Sequence, residues 1–363
     1  MGLAALFIPD WFKKRNMKVL VLLEFGIPPY RDFLFKYLKA LPFIKKLTIV
    51  HTGQRFEEFN HDYDSFRVPT FDFYELTIHK GVLEHIKSHD IIISSFNINR
   101  PLCWLPMLLY RKPWILWGPG LGRNKWNFMN RLIRKPFIYR ANKFIVYTEE
   151  AKKELVERWQ VDEEKLSVAY NTLYVSNSEN TSENREYLLY VGRLQQRKGI
   201  ERVLYALYRL KQRKIILHFV ILGDGEIKAD LEKLVQDLGI EQQVTFRPAT
   251  FDDAVLKKVF SSALAYVSPD HIGLGVVHSF AYGVPVMTCS NKEHAREFGY
   301  CSNDNSFLYE KDEQLDETIE KLASNPGDSY QKGKMGYEYY KEKLSHHHME
   351  KVFLDAIEEA AKR

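Results

Sequence analysis

Residues 187–200 read Tyr-Leu-Leu-Tyr-Val-Gly-Arg-Leu-Gln-Gln-Arg-Lys-Gly-Ile. The first five are large and apolar, and so short a run bounded by glycine predicts a strand buried on both faces, Tyr187–Val191. Gly192 permits a tight turn away from the strand end. An amphipathic pattern over residues 199–213 predicts the helix that follows. A buried strand turning through glycine into a helix is the unit of a parallel α/β sheet. Arg193 and Lys198 sit around that turn, close to the helix start. Two cations beside free backbone N–H groups make a site for a diphosphate. The plainer reading of both side chains is a pair of solvated surface cations.

The same alternation continues on both sides. Towards the carboxy terminus, Ile215–Leu222, Val244–Phe246, Ala263–Val267 and Val284–Thr288 read as strands, with helices over residues 226–238, 252–261, 276–282 and 313–324. Met349–Ala361 reads as a last amphipathic helix. Towards the amino terminus, Lys18–Leu23, Leu47–Val50, Ile91–Ser95, Trp114–Trp117 and Phe144–Tyr147 read as buried strands, with a helix at Asp32–Leu41. Between the two series, Asn171–Glu186 is rich in Ser, Asn, Thr and Glu and has no strong apolar residue after Val175, which predicts a linker. The expected organisation is an extension at 1–16, a Rossmann-like domain at 17–172, a linker at 173–186, a second Rossmann-like domain at 187–345, and a helix at 346–363 placed to cross back to the first domain. Doubly wound sheets bind ligands beyond the carboxyl ends of their strands, and two such domains facing a central cleft would hold an active site there.

A second chemical element follows the strand Ala263–Val267. Ser268-Pro269-Asp270-His271-Ile272-Gly273-Leu274-Gly275 leads into a helix, and its glycines let backbone amides approach a ligand. Asp270 and His278 are spaced so that both can face one ligand. The bland alternatives are a helix-entry cap for Asp270 and a hydrogen-bonded core histidine for His278. Gly-Asp-Gly-Glu at 223–226 is weak support for a dinucleotide cofactor. Asp62-Tyr63-Asp64 has the look of a metal-binding Asp-x-Asp, but no apolar strand precedes it and it reads as surface loop.

Gly-Arg-Leu-x-x-x-Lys-Gly at 192–199, the loop from Asp270, and Ala-Tyr-Gly-Val-Pro-Val-Met at 281–287 together resemble glycosyltransferase family 4, retaining enzymes of the two-Rossmann GT-B architecture. The resemblance implies that Arg193 and Lys198 bind the donor diphosphate, that Asp270 stands near the transferred sugar, and that His278 takes the ribose position where the family carries Glu. It implies donor contacts from Gly192, His271, Ile272, Gly273 and Leu274, from Arg247 and Pro248 at the base, and from Glu297 within His294-Ala-Arg-Glu-Phe298. It implies a nucleotide-diphosphate sugar as co-substrate, with no metal and no other cofactor. The expected chemistry is retaining transfer to a glycan or lipid-diphosphate-linked acceptor in bacterial polysaccharide, lipopolysaccharide or O-antigen synthesis. A non-catalytic sugar-nucleotide-binding protein and an inverting GT-B transferase are the rivals. Gly26, Arg31, Gly118 and Arg123 are the candidate acceptor contacts.

Charge sharpens the division. Residues 1–160 hold 26 Lys+Arg against 15 Asp+Glu, while residues 161–363 hold 26 against 32. From Ile91 to Thr148 there is no acidic residue, and the stretch carries ten Lys+Arg and four of the six tryptophans. Basic, aromatic surface of this kind suits an anionic membrane. The expected place is the cytoplasmic face of the inner membrane, held peripherally, since no apolar window is long enough to span. Residues 1–15, apolar then basic, read either as a short interfacial anchor or as a loose extension. No nucleic-acid motif is present, so a nucleic-acid partner is not expected. Three cysteines, Cys103, Cys289 and Cys301, offer neither a disulfide framework nor a zinc spacing and fit a reducing compartment.

Overall fold

The computed structural model describes residues 15–54, 59–74, 76–97, 99–120, 128–176, 178–179 and 185–362. The extension read at residues 1–16 lies almost wholly outside them, as does Arg123. The chain forms two compact units, one of residues 1–174 with 346–363, the other Val175–Ser345.

The first unit is built on a seven-stranded parallel sheet in the order β3-β2-β1-β6-β7-β8-β9. Its strands are β1 (Met17–Leu22), β2 (Ile44–His51), β3 (Asp64–Arg67), β6 (Ile91–Ser95), β7 (Trp114–Gly118), β8 (Lys143–Val146) and β9 (Leu166–Val168). A separate antiparallel hairpin pairs β4 (Thr70–Phe73) with β5 (Leu76–His79). The helices are α1 (Asp32–Ala40), α2 (Val82–Ser88), α3 (Phe128–Arg140) and α4 (Glu149–Trp159). Val19, Val21, Ile93, Ile115 and Ile145 are fully buried or nearly so, as strands covered on both faces must be.

The second unit repeats the plan with six parallel strands in the order β12-β11-β10-β13-β14-β15. These are β10 (Tyr187–Val191), β11 (His218–Leu222), β12 (Val244–Arg247), β13 (Ala263–Val267), β14 (Val286–Cys289) and β15 (Ser306–Tyr309). The helices are α5 (Ile200–Gln212), α6 (Lys228–Asp237), α7 (Asp253–Ser261), α8 (Gly275–Ala281), α9 (Gln314–Ser324) and α10 (Pro326–Tyr339). In each sheet the order reverses once, beside β1 and beside β10. Those are the switch points where doubly wound folds bind ligands.

The last helix, α11 (His346–Ala361), belongs to the first unit. Met349, Phe353, Leu354 and Ile357 pack into the core that α1 and the sheet form, and the Trp117 ring meets Phe353 edge-on at 5.0 Å.

Several expectations need correction. Ile215–Leu217 are not strand, because Lys214 takes a left-handed conformation and the Ile215 N–H returns to the Leu210 carbonyl, closing α5. Val284 and Pro285 likewise belong to the turn after α8, where the Val284 N–H reaches the Ser279 carbonyl. Asp62-Tyr63-Asp64 is not wholly surface loop. Asp64 opens β3, Tyr63 is buried with its hydroxyl donating to Asp32, and Lys39 and Lys46 pair with Asp62 and Asp64. Within the stretch read as linker, Arg185 is only 8% exposed and donates to Ser329 and to the Gly283 carbonyl. The three cysteines are free thiols.

Candidate active site

At the carboxyl edge of the second sheet, backbone geometry is set by close approach. Gly223 and Gly225 press on the turn after β10. A Cβ on Gly223 would stand 2.0 Å from the Gly192 carbonyl oxygen, and one on Gly225 would stand 2.3 Å from that of Leu194. The Gly-Asp-Gly run therefore shapes the turn that carries Arg193. Gly199, at φ +67°, caps α5 and lies against the Asp270 carboxylate, which a Cβ would meet at 2.6 Å.

Arg193 is exposed, with no carboxylate partner among the described residues. Lys198 is half-buried and its Nζ donates to the His271 carbonyl at 2.9 Å. Burial first, and the adjacent Arg197 charge second, push its pKa down to about 8, against the pull of Glu297. A cation held in this state gains most from an incoming anion, because a diphosphate restores the charge that burial disfavours.

Arg197, which sequence reasoning passed over, joins the same cluster. His271 Nδ1 lies 2.9 Å from the Glu293 carbonyl, which can only accept, so Nδ1 carries the proton. Its Nε2 then presents a lone pair to the Arg197 guanidinium at 3.2 Å. His294 is fixed in the opposite tautomer. Its Nε2 donates to the Cys289 carbonyl, and its Nδ1 accepts the Ile272 N–H at 3.0 Å. Its ring stacks on Phe298 at 4.4 Å. Burial lowers the pKa of both rings, which keeps them neutral. Two histidines thus pin the loop that carries Ile272 and Gly273. Beside Gly273 a Cβ would meet nothing within 4 Å, so its backbone stands open to a ligand.

Asp270 Oδ2 pairs with Arg202 at 2.8 Å and its Oδ1 lies 3.8 Å from Lys292, which ties the loop to α5 and leaves Oδ1 without a hydrogen bond among the described residues. The helix-cap reading does not apply, since α8 begins at Gly275. The His278 ring lies near Phe260, and burial pushes its pKa down to about 4, so it offers a neutral imidazole. Arg247 and Pro248 are exposed at the end of β12, and Glu297 is buried in the turn after β14.

At the first sheet's switch point the picture is different. Arg31, read as an acceptor contact, is 3% exposed. It donates to the Thr172 carbonyl and to Asn171, and it lies over the Trp117 ring at 5.1 Å. It is a clamp of the unit's interior and is not available to a ligand. Gly26 and Gly118 are buried at the ends of β1 and β7. Sequence reasoning missed the polar group beside them. Glu24 follows β1 and accepts from Asn97, which follows β6. His79, at the end of β5, is 1% exposed. Neither of its ring nitrogens, nor the buried Nη1 of Arg100, has a well-aligned hydrogen-bond partner among the described residues, although the Glu24 backbone interacts with the His79 ring. Burial and the Arg100 charge push the His79 pKa to about 4, opposed by the nearby Glu24 backbone. These residues come from three strands, and no local motif joins them.

Residues 175–341 match the family described as glycosyl transferases group 1. That stretch is nearly the whole of the second unit, Val175–Ser345. An uncharacterized glycosyltransferase of Methanocaldococcus jannaschii is 27% identical over 170 residues, 42% of this chain and 43% of its own. The O-antigen chain mannosyltransferase RfbU of Salmonella typhimurium is 26% identical over 165 residues, 43% of this chain and 44% of its own. The chain thus spans less than half the length of either relative. The crystal structure of Anabaena HepE in complex with UDP aligns with a TM-score of 0.70 at 13% identity, covering 94% of this chain and 100% of that one. At that identity the likeness carries the fold, which is GT-B. In the second unit, Lys198 with the neighbouring Arg197 charge lies beside β10, in the turn that also carries Arg193.

Proposed function

We propose that the protein is a retaining glycosyltransferase of the family 4 kind, moving a sugar from a nucleotide-diphosphate donor to a hydroxyl of a glycan or lipid-diphosphate-linked acceptor in surface-polysaccharide synthesis. The observation that carries this is the half-buried Lys198, its charge disfavoured where it stands, beside the exposed Arg193 and the open backbone at Gly273. In the reaction the bond from the sugar's anomeric carbon to the diphosphate oxygen breaks. The acceptor oxygen forms the new bond on the same face, and its proton passes to the departing phosphate. Arg193, Lys198 and Arg197 stabilise the charge that grows on the leaving group. These cations take the place of a metal in this mechanism, so turnover persists after chelation. The UDP bound by HepE and the mannosyl transfer named for the Salmonella relative support a nucleotide-sugar donor and a surface-glycan product.

An inverting reaction is the second reading. Glu24 favours it, because a carboxylate at the first unit's switch point is the general base such a mechanism needs. A thermal-shift panel of UDP-, GDP- and dTDP-sugars identifies the donor, since a ligand of the native state raises its apparent stability. The anomeric configuration of the product then separates retention from inversion. If no donor shifts the melting temperature and none is hydrolysed or transferred, the proposal fails.

We also assign the first unit to an anionic membrane surface on the cytoplasmic side. The turn at Leu105–Leu108 packs on α3. Leu108, Leu132 and Ile133 are exposed there, and Leu109 is 76% exposed. Arg111 and Arg140 are exposed nearby in sequence, whereas Arg134 is buried on the Gly120 carbonyl. No helix among the described residues is long and apolar enough to cross a membrane. Binding to phosphatidylglycerol vesicles in a flotation assay should weaken with salt and be lost in the Leu108→Glu, Leu109→Glu double variant. Salt-insensitive or absent binding overturns the assignment.

A further inference from the structure

The run Ser345-His346-His347-His348-Met349-Glu350 opens α11, where the chain re-enters the first unit. On a helix, positions three and four apart share a face. That puts His346 and His347 both over Glu350. One donor atom from each of the three lies within 4.8 Å of the others. His348 is turned away, with its Nε2 3.3 Å from the Val168 carbonyl and its ring beside Tyr170.

Each of the three is already positioned. The His346 ring meets Phe33 edge-on at 5.8 Å and lies 4.8 Å from Tyr174. Glu350 is 7% exposed, a poor place for an anion unless a cation compensates it. Among the described residues its Oε2 has one side-chain hydrogen-bond partner, His347 Nδ1, at 3.0 Å. His347 is largely exposed and free to turn about that contact.

We propose that His346, His347 and Glu350 form a binding site for a borderline divalent cation, zinc being the physiological candidate. Two imidazoles and one carboxylate leave a fourth position for water, and that donor set suits Zn²⁺ better than the harder Mg²⁺ or Ca²⁺. A tetrahedral centre with bonds of about 2.0–2.2 Å sets its ligands roughly 3.4 Å apart. Closing the widest of these gaps by up to about 1.4 Å is enough. The bound ion neutralises the buried Glu350 carboxylate and cross-links the first turn of α11. The site lies on the first unit and takes no part in the transfer proposed above, where no metal acts.

Co²⁺ reports the site directly, because its visible absorption is strong only in a tetrahedral centre. Full-length protein should bind one equivalent of Co²⁺ with that spectrum, lose it on adding one equivalent of Zn²⁺, and melt at higher temperature with Zn²⁺ than with EDTA. His347→Ala, at an exposed position, should abolish the spectrum and the shift while the apo protein melts unchanged. His348→Ala should leave both intact. A loose histidine run that grips metal without a folded site would weaken equally in either variant, and that result overturns the proposal. So does the absence of a tetrahedral spectrum in the unaltered protein.

Discussion

The two switch points are built on one plan and finished in opposite ways. Beside β10, the two loop histidines have fixed partners, while Asp270 Oδ1 stays without a hydrogen bond among the described residues. His271 and His294 are locked in complementary tautomers, and Gly199, Gly223 and Gly225 sit where a methyl group does not fit. Beside β1, His79 and Arg100 keep buried polar atoms that no described residue satisfies. Preorganisation suits a constant ligand, because its geometry is prepared before binding. The nucleoside diphosphate proposed as donor would be such a ligand. The rim at β1 keeps unspent hydrogen-bonding capacity, which would suit the acceptor proposed above.

The largest effect expected from this contrast is on turnover. Arg193→Ala or Lys198→Ala should lower kcat/KM for the donor about tenfold to a thousandfold, ~1.4–4 kcal/mol of transition-state stabilisation, with circular dichroism unchanged. Near-normal rates in both would dissolve the assigned rim. Next is rigidity. A Cβ on Gly275 would stand 2.2 Å from the Tyr266 hydroxyl, so Gly275→Ala should cost about 1–3 kcal/mol in urea unfolding. Tyr266→Phe removes the nearest obstructing atom but leaves the ring Cζ 2.6 Å away, so it should recover only a small part of that loss. An unchanged midpoint in Gly275→Ala alone would show that the clash is not what fixes the loop.

A smaller effect concerns pH. Lys198 has a pKa of about 8, below its ordinary value, so its charge is present at neutral pH and lost as pH rises through 8. Donor kcat/KM, which reports the free enzyme, should therefore fall on the alkaline side. Lys198→Arg should move that limb out of range, because a guanidinium stays protonated. Smallest is His79→Leu. Replacing an unsatisfied buried ring by a hydrocarbon should change stability by no more than ~1 kcal/mol and leave donor-induced thermal shifts intact. A large loss of stability would mean that the β1 rim is as tightly finished as the other.

How much of this was legible in the sequence follows from the same physics. Strands covered on both faces advertise themselves as unbroken apolar runs, and β10, β13 and β6 lie where the runs lie. The edge strand β3, Asp-Ser-Phe-Arg, has no such face to bury. The helix α10 escaped for a different reason. Its buried positions are Ser329, Gly333 and Gly336. A Cβ on Gly333 would stand 1.8 Å from the Gly283 carbonyl oxygen, so the helix packs through missing side chains and leaves no apolar period. At the candidate site, Arg193 and Lys198 stand out in the sequence because one turn holds both. Glu24, His79 and Arg100 do not, because only the sheet order brings them together. Arg31 was misread because burial on Asn171 and Thr172 comes from the far side of the sequence.

The placement of α11 has a consequence for how the protein is made. The apolar face that Met349, Phe353 and Ile357 cover belongs to strands and a helix translated before Tyr174. All of Val175–Ser345 must leave the ribosome before the covering helix exists. At ~5–20 residues per second that is a delay of roughly 10–30 s. During it the first unit is an unfinished, sticky intermediate, while the second unit has every strand it needs and can fold at once. Folding of the nascent chain thus ends with its oldest half, and a ribosome that stalls within the last turns of α11 leaves a protein whose later half is native and whose earlier half is prey for chaperones and proteases.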